Sequence, residues 1–299
     1  MDNAANSTLT SVIVVAADSG ADLGSCVEHA LGSTAACEVI VSDNASGDGA
    51  VDALAARWGG DARVRIVRNG SNLGFGAGCN RAAAQARGDV IVLLNPDCML
   101  PADALARLRA ALDADPGIGL VGASIVAADG QVERASRRRD PTLWRALMSL
   151  SGLARLEARW PALAGVNLPP RADTPALESV DAVSGALMLL PRRVFDQLGG
   201  FDEGYFLHCE DLDLCRRVRD AGLRVACVND VRVVHGKGTS SRRRPFLVAR
   251  AKHRGMWRWF RKFDPAARNP LLRALVAGAL CAHYLVSLPR YAWALLRAR

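Results

Sequence analysis

The feature that most constrains this chain is an alternation of periods across residues 9–126. Short apolar runs rich in β-branched residues take turns with stretches of helical composition, and turn residues mark each change. Residues 9–15 read L-T-S-V-I-V-V, which suits a strand buried on both faces. Ala16-Ala17-Asp18-Ser19-Gly20 breaks that run, and a helix is expected to about residue 36. A second strand is expected over 38–41. It leads into Ser42-Asp43-Asn44-Ala45-Ser46-Gly47-Asp48-Gly49, a loop of turn and cap residues before a helix over 50–58. Residues 64–67 give a third strand, and a helix opens at Gly74-Phe75-Gly76-Ala77-Gly78 and runs to residue 87. A fourth strand over 90–94 stops at Asn95-Pro96-Asp97; a helix over 101–114 and a strand over 118–126 follow. Strand and helix alternating through short connections specify an α/β fold with an open, mostly parallel sheet and flanking helices. Such sheets bind ligands at the carboxyl ends of their strands. Asp18, Asp43, Asp48 and Asp97 all fall just past expected strand ends.

Beyond a turn at Asp129-Gly130 the alternation weakens. Residues 134–175 carry Arg137-Arg138-Arg139, Trp144, Trp160 and several prolines without a clear period, which fits either an excursion facing a substrate or a partly mobile segment. Strand character resumes over 179–190, and two short β runs are expected over 224–234, ending at His235. Between them, Glu210-Asp211-Leu212-Asp213 opens a helix expected over 211–221. Three carboxylates so close repel one another. A helix N-terminus offsets part of that charge, and a metal, a cationic partner or a shared proton would offset the rest. A carboxyl group with raised proton affinity is what a general base requires. The rival reading is an ordinary acidic first turn, which helices favour anyway.

Other candidates are weaker singly. Asp97, behind Asn95 and rigid Pro96, is placed to hold a Mg²⁺ that also touches phosphate oxygens, although N-P-D is equally a good type I turn. His235 would suit a cation such as Mn²⁺ or a structural role. Gly74-x-Gly76-x-Gly78 would cradle phosphate or let its helix pack closely. It is not the dinucleotide fingerprint and does not follow the first strand, so no nicotinamide cofactor is expected. Asp43-Asn44-x-Ser46-x-Asp48 would hydrogen-bond a base and ribose, or cap its own helix.

Charge is uneven. Of a formal net +8, a concentrated share sits between Arg242 and Arg273, where eleven Lys or Arg face one acid, Asp264. Residues 271–288 are apolar apart from Arg273 and His283. A spanning helix wants about 20 apolar residues. This interrupted run behind a basic block fits a helix lying in a membrane surface, with packing on the domain or a dimer contact as alternatives. Eight cysteines without Cys-x-x-Cys pairs, and a polar stretch over residues 1–10, point to reduced cytosolic thiols.

The order of the pieces carries more than any one of them. They are Ser11-Val-Ile-Val-Val15; Val41-Ser-Asp43-Asn44-Ala-Ser46-Gly-Asp48-Gly49; Asn69 with Asn72-Leu-Gly74-Phe75-Gly76; and Leu93-Leu-Asn95-Pro-Asp97. Ser184-Gly185-Ala186, Gly199-Gly-Phe201-Asp202-Glu203, Glu210-Asp211-Leu-Asp213-Leu and Val234-His235 complete the set. On these, the chain resembles the family 2 glycosyltransferases, inverting enzymes of the GT-A fold. Within that family the L-N-P-D and G-G-F-D-E-x-Y-F…E-D-x-D-L wording is most similar to bacterial rhamnosyltransferases of cell-surface polysaccharide assembly.

The resemblance implies a Rossmann-like GT-A domain over residues 1–240, with a nucleotide-sugar half to 126 and an acceptor half over 127–240. A basic, helical and apolar tail over 241–299 would anchor it to an acidic membrane surface. It implies donor-nucleotide contacts from Asp43, Asn44, Asp48, Asn72, Gly74 and Asn95. Asp97 takes the metal-binding Asp of the family's D-x-D element, Asn95 stands for its first Asp, and His235 lies near the Mg²⁺ or Mn²⁺ or the diphosphate. Asp211 matches the base that deprotonates the acceptor hydroxyl, with Glu210 and Asp213 orienting it or the acceptor. The implied reaction is a single in-line displacement moving one sugar, L-rhamnose from dTDP-rhamnose, to a lipid-linked or polysaccharide acceptor of the cell envelope. It would run in the cytoplasm, on the inner face of the membrane. Lys237 and Arg242–Arg244 would meet the diphosphate or form a solvated loop. Two departures stand out. The first strand ends in Ala16-Ala17-Asp18 instead of the family's N-Y-N-like turn, and the processive synthases' Q-x-x-R-W element is missing, which favours transfer of one sugar over polymer synthesis. The altered turn and Asn95 motivate a rival, a membrane-docked scaffold of the same fold without activity. Nucleic-acid binding through the Arg-rich tail is opposed by the acidic centre.

Overall fold

The structure, a computed structural model, describes residues 9–169, 171, 173–236 and 244–297, with side chains to residue 293. Lys237, Arg242, Arg243 and residues 1–8 lie outside the described residues. The central sheet has nine strands. Its path runs β3 (Val64–Arg68), β2 (Cys37–Asp43), β1 (Thr10–Ala16), β4 (Val90–Leu94), β10 (Leu187–Pro191), β6 (Ile118–Val126), β11 (Arg224–His235), β5 (Cys98–Met99), with β8 (Leu177–Ser179) added on β11. β3, β2, β1 and β4 pair in parallel, as do β6 and β11, while β10 lies antiparallel between β4 and β6. A separate ribbon joins β7 (Arg137–Arg138) to β9 (Ala182–Val183).

Period two explains why β1 is buried throughout and apolar from Val12 on. Val12 and Val14 enter one core with Leu23, Leu54 and Leu105; Ile13 and Val15 enter the other with Cys79, Phe195 and Leu214. The first core is covered by α1 (Asp22–Leu31), α2 (Ala50–Trp58) and α4 (Ala104–Asp113). The second is covered by α3 (Phe75–Ala83), α6 (Arg192–Gln197) and α7 (Glu210–Asp220).

Three expectations change. The strand expected over 179–190 is three pieces, β8, β9 and β10, interrupted at Ser184-Gly185-Ala186. The two runs expected over 224–234 are one strand whose register slips between Val228 and Arg232. The aperiodic stretch from 134 is ordered around β7, α5 (Leu143–Ser151, with Thr142 Oγ1 accepting from Arg145 N) and two short 3-10 turns.

The expected tail divides into two helices of different character. α8 (Pro245–Phe263) packs on the second core through buried Trp259. α9 (Pro270–Arg297) does not: its stretch Pro270–Trp293 has a mean hydropathy of 1.7 and the length to cross a membrane, and none of it is buried. It continues through Pro289, and Leu271, Leu275, Leu285 and Val286 stand exposed.

Candidate active site

A cavity of about 630 Å³ opens at the carboxyl edge of the sheet. Asn44, Asn72, Gly74, Asn95, Asp97, His235, Glu210 and Asp211, all expected site residues, line it together. Asp43, Asp48 and Asp213 do not.

One corner is made by the turn after β4. β5, too short to carry a period, pairs antiparallel with the end of β11 and sets His235 opposite Cys98. His235 Nε2 thereby lies 3.2 Å from Asp97 Oδ1 and 3.3 Å from Asn95 Nδ2, while its Nδ1 lies 3.3 Å from Glu133 Oε1. Burial works against protonation of this imidazole, but the hydrogen bonds and charges of Asp97 and Glu133 outweigh it, and its pKa lies above the ordinary value. Ligand atoms of Asp97, Cys98 and His235 fall within 4.8 Å of one another. Burial holds the Cys98 thiol well above its ordinary pKa, and it donates to Ala186 O. The usable pair is therefore one carboxylate oxygen and one imidazole nitrogen, with Glu133 fixing the ring from behind. That donor set fits a divalent cation whose remaining ligands are phosphate oxygens and water.

The second corner is the start of α7. His208 (φ 68°) and Cys209 (φ 70°) are both left-handed without being glycine, a strained entry of the kind that gathers at functional sites. Gly185 is required beside it: a Cβ there would meet Asp211 Cβ at 2.9 Å. In its absence Gly185 N donates to Asp211 Oδ2 at 3.1 Å, Leu212 N donates to Oδ1 at 2.8 Å, and the Arg138 guanidinium pairs with Oδ2. Burial pushes the Asp211 carboxyl up, but Arg138 prevails and holds it below the usual carboxylate range. Glu210, next to it, is pushed up to about 8 by burial and then by the Asp211 charge, and its Oε2 has no hydrogen-bond partner among the described residues. The helix start thus holds one ionised and one proton-retaining carboxyl side by side.

Asp213, expected to orient Asp211 or the acceptor, does not line the cavity. It is fully buried away from the cavity, 2.5 Å from Arg217 Nε and 2.6 Å from Lys262 Nζ, and so ties α7 to α8. Asp43, buried, and Asp48, half-buried, are also outside the cavity lining. Asp43 accepts from Ser46 N at 2.9 Å and pairs with Arg68. Asp48 accepts from Gly20 N at 2.7 Å and Ala50 N at 3.1 Å. They build the loop whose neighbours line the cavity. Asn44 Nδ2 donates to Gly74 O at 2.9 Å, and Asn72 Oδ1 accepts from Gly74 N at 3.0 Å. Gly74 (φ 89°) leaves room for Phe75 N to reach Phe206 O at 2.9 Å, where a Cβ would clash at 2.3 Å, so the two sides of the cavity are stitched together there. Arg244 reaches Asp18 at 2.6 Å.

Glu133, Arg138 and His208 also line the cavity and were not expected. Of the Arg137-Arg138-Arg139 run, Arg137 pairs with Glu178 and Arg139 with Glu157; Arg138 alone of the three lines the cavity. The run was visible in sequence, but the β7–β9 pairing that sorts its members was not.

Sheet order, the cavity at its carboxyl edge and the carboxylates converging there define the GT-A nucleotide-diphospho-sugar transferase architecture. Solved structures agree. GalNAc-T7 with UDP, GalNAc and Mn²⁺ matches with a TM-score of 0.60 at 18% identity, over 78% of this chain and 44% of that one. A mannosyltransferase from Pyrobaculum calidifontis in complex with GDP-Man and Mn²⁺ matches with a TM-score of 0.57 at 20% identity, over 97% and 74%. The family model described as glycosyltransferase-like family 2 matches residues 7–259, and the chain belongs to that family. Its relatives include the N-acetylglucosaminyl-diphospho-decaprenol L-rhamnosyltransferase of Mycobacterium tuberculosis, 30% identical over 261 residues that span 78% of this chain and 82% of the relative.

Proposed function

We propose that this glycosyltransferase moves one L-rhamnose from dTDP-rhamnose to a hydroxyl of a lipid-linked glycan, with inversion, at the cytoplasmic face of a membrane. The observation that carries the reading is a single cavity holding both the Asp97–His235 pair and Asp211. Asn44, Asn72, Gly74 and Asn95 line the part assigned to the nucleotide; Asn44 stands on the loop that Asp43 and Asp48 brace and donates to Gly74 O. Asp97 and His235 would hold Mg²⁺ or Mn²⁺, which when bound neutralises the departing diphosphate. Asp211 takes the proton of the acceptor hydroxyl as its oxygen bonds to the anomeric carbon, and the bond from that carbon to the diphosphate breaks in the same displacement. The sugar and the lipid-linked acceptor rest on similarity to the mycobacterial relative. The cavity's apolar rim of Phe206, Leu207, Leu247 and Tyr291, and the bare apolar surface of α9 beyond it, support an acceptor presented from a membrane.

The test is a donor panel with Mg²⁺ or Mn²⁺ and a GlcNAc-diphospho-lipid acceptor, read by product mass. Addition of one deoxyhexose from dTDP-rhamnose is expected. If no donor is consumed and Asp211→Asn behaves as wild type, the reading is lost. Flotation with acidic liposomes, full length against a chain ending at Asp264, tests the anchor; equal flotation would remove it.

A further inference from the structure

We propose that Arg138 reads a phosphate on the acceptor, and that its transfer from Asp211 to that phosphate is what readies the base. This rests on the roles of Asp211 and of a lipid-linked acceptor argued above. A base needs an open lone pair and some affinity for a proton. As it stands, Asp211 has neither in abundance: Gly185 N, Leu212 N and the Arg138 guanidinium all donate to its two oxygens. A guanidinium in contact with a carboxylate stabilises the ionised form and weakens it as a base. The arrangement orients Asp211 well and activates it poorly.

Arg138 itself is under-used. Its side chain is 12% exposed and lines the cavity. Nη2 makes both of its hydrogen bonds, to Val183 O and Asp211, and its Nε is buried without a partner among the described residues. Buried donors without partners are rare, and a guanidinium edge matches the paired oxygens of a phosphate. The donor's diphosphate already has the Asp97–His235 corner, so a phosphate at Arg138 must come with the other substrate. Its arrival has the right electrostatic sign. The Arg138–Asp211 pair is close to neutral, and an added anion both draws the guanidinium off and raises the proton affinity of Asp211. An acceptor with its diphosphate near the reacting sugar would then switch on its own glycosylation.

The experiment compares one sugar presented on a lipid diphosphate and as an uncharged alkyl glycoside. Each is assayed with wild type, Arg138→Gln and Arg138→Lys at saturating donor. Wild type is expected to favour the diphosphate acceptor in kcat/KM by about 10- to 100-fold, the range of one or two charge-assisted hydrogen bonds. In Arg138→Gln that ratio falls towards one, with Arg138→Lys between. If both rates fall together and the ratio stays at the wild-type value, Arg138 only orients Asp211 and the proposal is overturned. Should Arg138→Gln fail to fold, the ratio in Arg138→Lys decides in the same way. Equal use of both acceptors by wild type also overturns it while leaving the transferase reading intact, whereas transfer to neither acceptor sinks both.

Discussion

The two groups of carboxylates around the cavity make a useful contrast. On the loops after β1 and β2, the side chains of Asp18, Asp43 and Asp48 accept from Gly47 N, Ser46 N, Gly20 N and Ala50 N. Asp43 and Asp18 also pair with Arg68 and Arg244, and none of the three lines the cavity, so they shape the wall. At the start of α7 the same chemical group meets uneven company. Among the described residues, Asp211 faces one cation, Glu210 keeps an oxygen without a partner, and Asp213 is sealed by two cations. What separates them is place: Asp18, Asp43 and Asp48 lie outside the cavity lining and build structure, Asp211 lines the cavity against a single guanidinium that can release it, and Asp213, held by two cations outside the cavity, becomes a rivet.

The largest effect expected from this contrast is at Asp211. Asp211→Asn keeps the shape and removes the proposed proton acceptor, so kcat should fall by about 10²- to 10⁴-fold. Asp48→Ala, on the wall-building side, should cost about 1 kcal/mol of stability through the lost cap on Ala50 N. Its kcat should stay far closer to wild type. Steady-state rates and thermal melts of the two variants separate the groups; equal losses of kcat would erase the distinction.

Asp213 sharpens it within one helix. Asp213→Ala strands the Arg217 charge, while Lys262, 33% exposed, keeps Asp202 at 2.8 Å; breaking such a buried arrangement costs about 3 kcal/mol, held to the lower end by that second partner and by the exposure. Tm should drop by several degrees while the folded fraction keeps its turnover. A loss of turnover at unchanged Tm would return Asp213 to the acceptor. A smaller effect belongs to Glu133, which touches His235 from behind. With the metal held by Asp97 and His235 as proposed, Glu133→Gln should raise the Mn²⁺ concentration for half-maximal activity about 10- to 100-fold, the usual weight of a partner behind a metal ligand. A chelator should abolish turnover and added Mn²⁺ restore it. An unchanged Mn²⁺ requirement would detach Glu133 from the metal corner.

Much of the fold was legible because switches between period two and period 3.6 mark its elements, and Ala50–Trp58, Val90–Leu94 and Ile118–Val126 stand where those switches put them. β5 was not legible, since two residues have no period, yet it is what sets His235 beside Asp97. The N-P-D and E-D-x-D pieces were legible as candidates, but their facing was not. Residues two apart on a helix point about 200° apart, so Asp211 and Asp213 cannot share a cavity. Which of them faces it is decided by Arg138 and Lys262, and those arrive from segments remote in sequence.

Glu210 gives the last test, through pH. Burial, reinforced by the charge of Asp211, raises its carboxyl from an ordinary 4.5 to about 8 in the folded protein. Between those values the folded chain holds a proton that the unfolded chain has released. The folded state therefore binds more protons, and stability must fall as pH rises across that window and level off above it. Glu210→Gln cannot titrate, so its Tm should decline less over the same range and exceed that of wild type at the alkaline end. Asp211 acts in the opposite sense. Its lowered carboxyl contributes stability above its ordinary value of 3.8 that is lost only as pH falls through the lowered one. Asp211→Asn should nevertheless soften the neutral decline as well, because it removes the second of the two causes that raise Glu210. Parallel Tm curves for wild type and Glu210→Gln across that window would show that the two carboxyls do not divide the proton in this way.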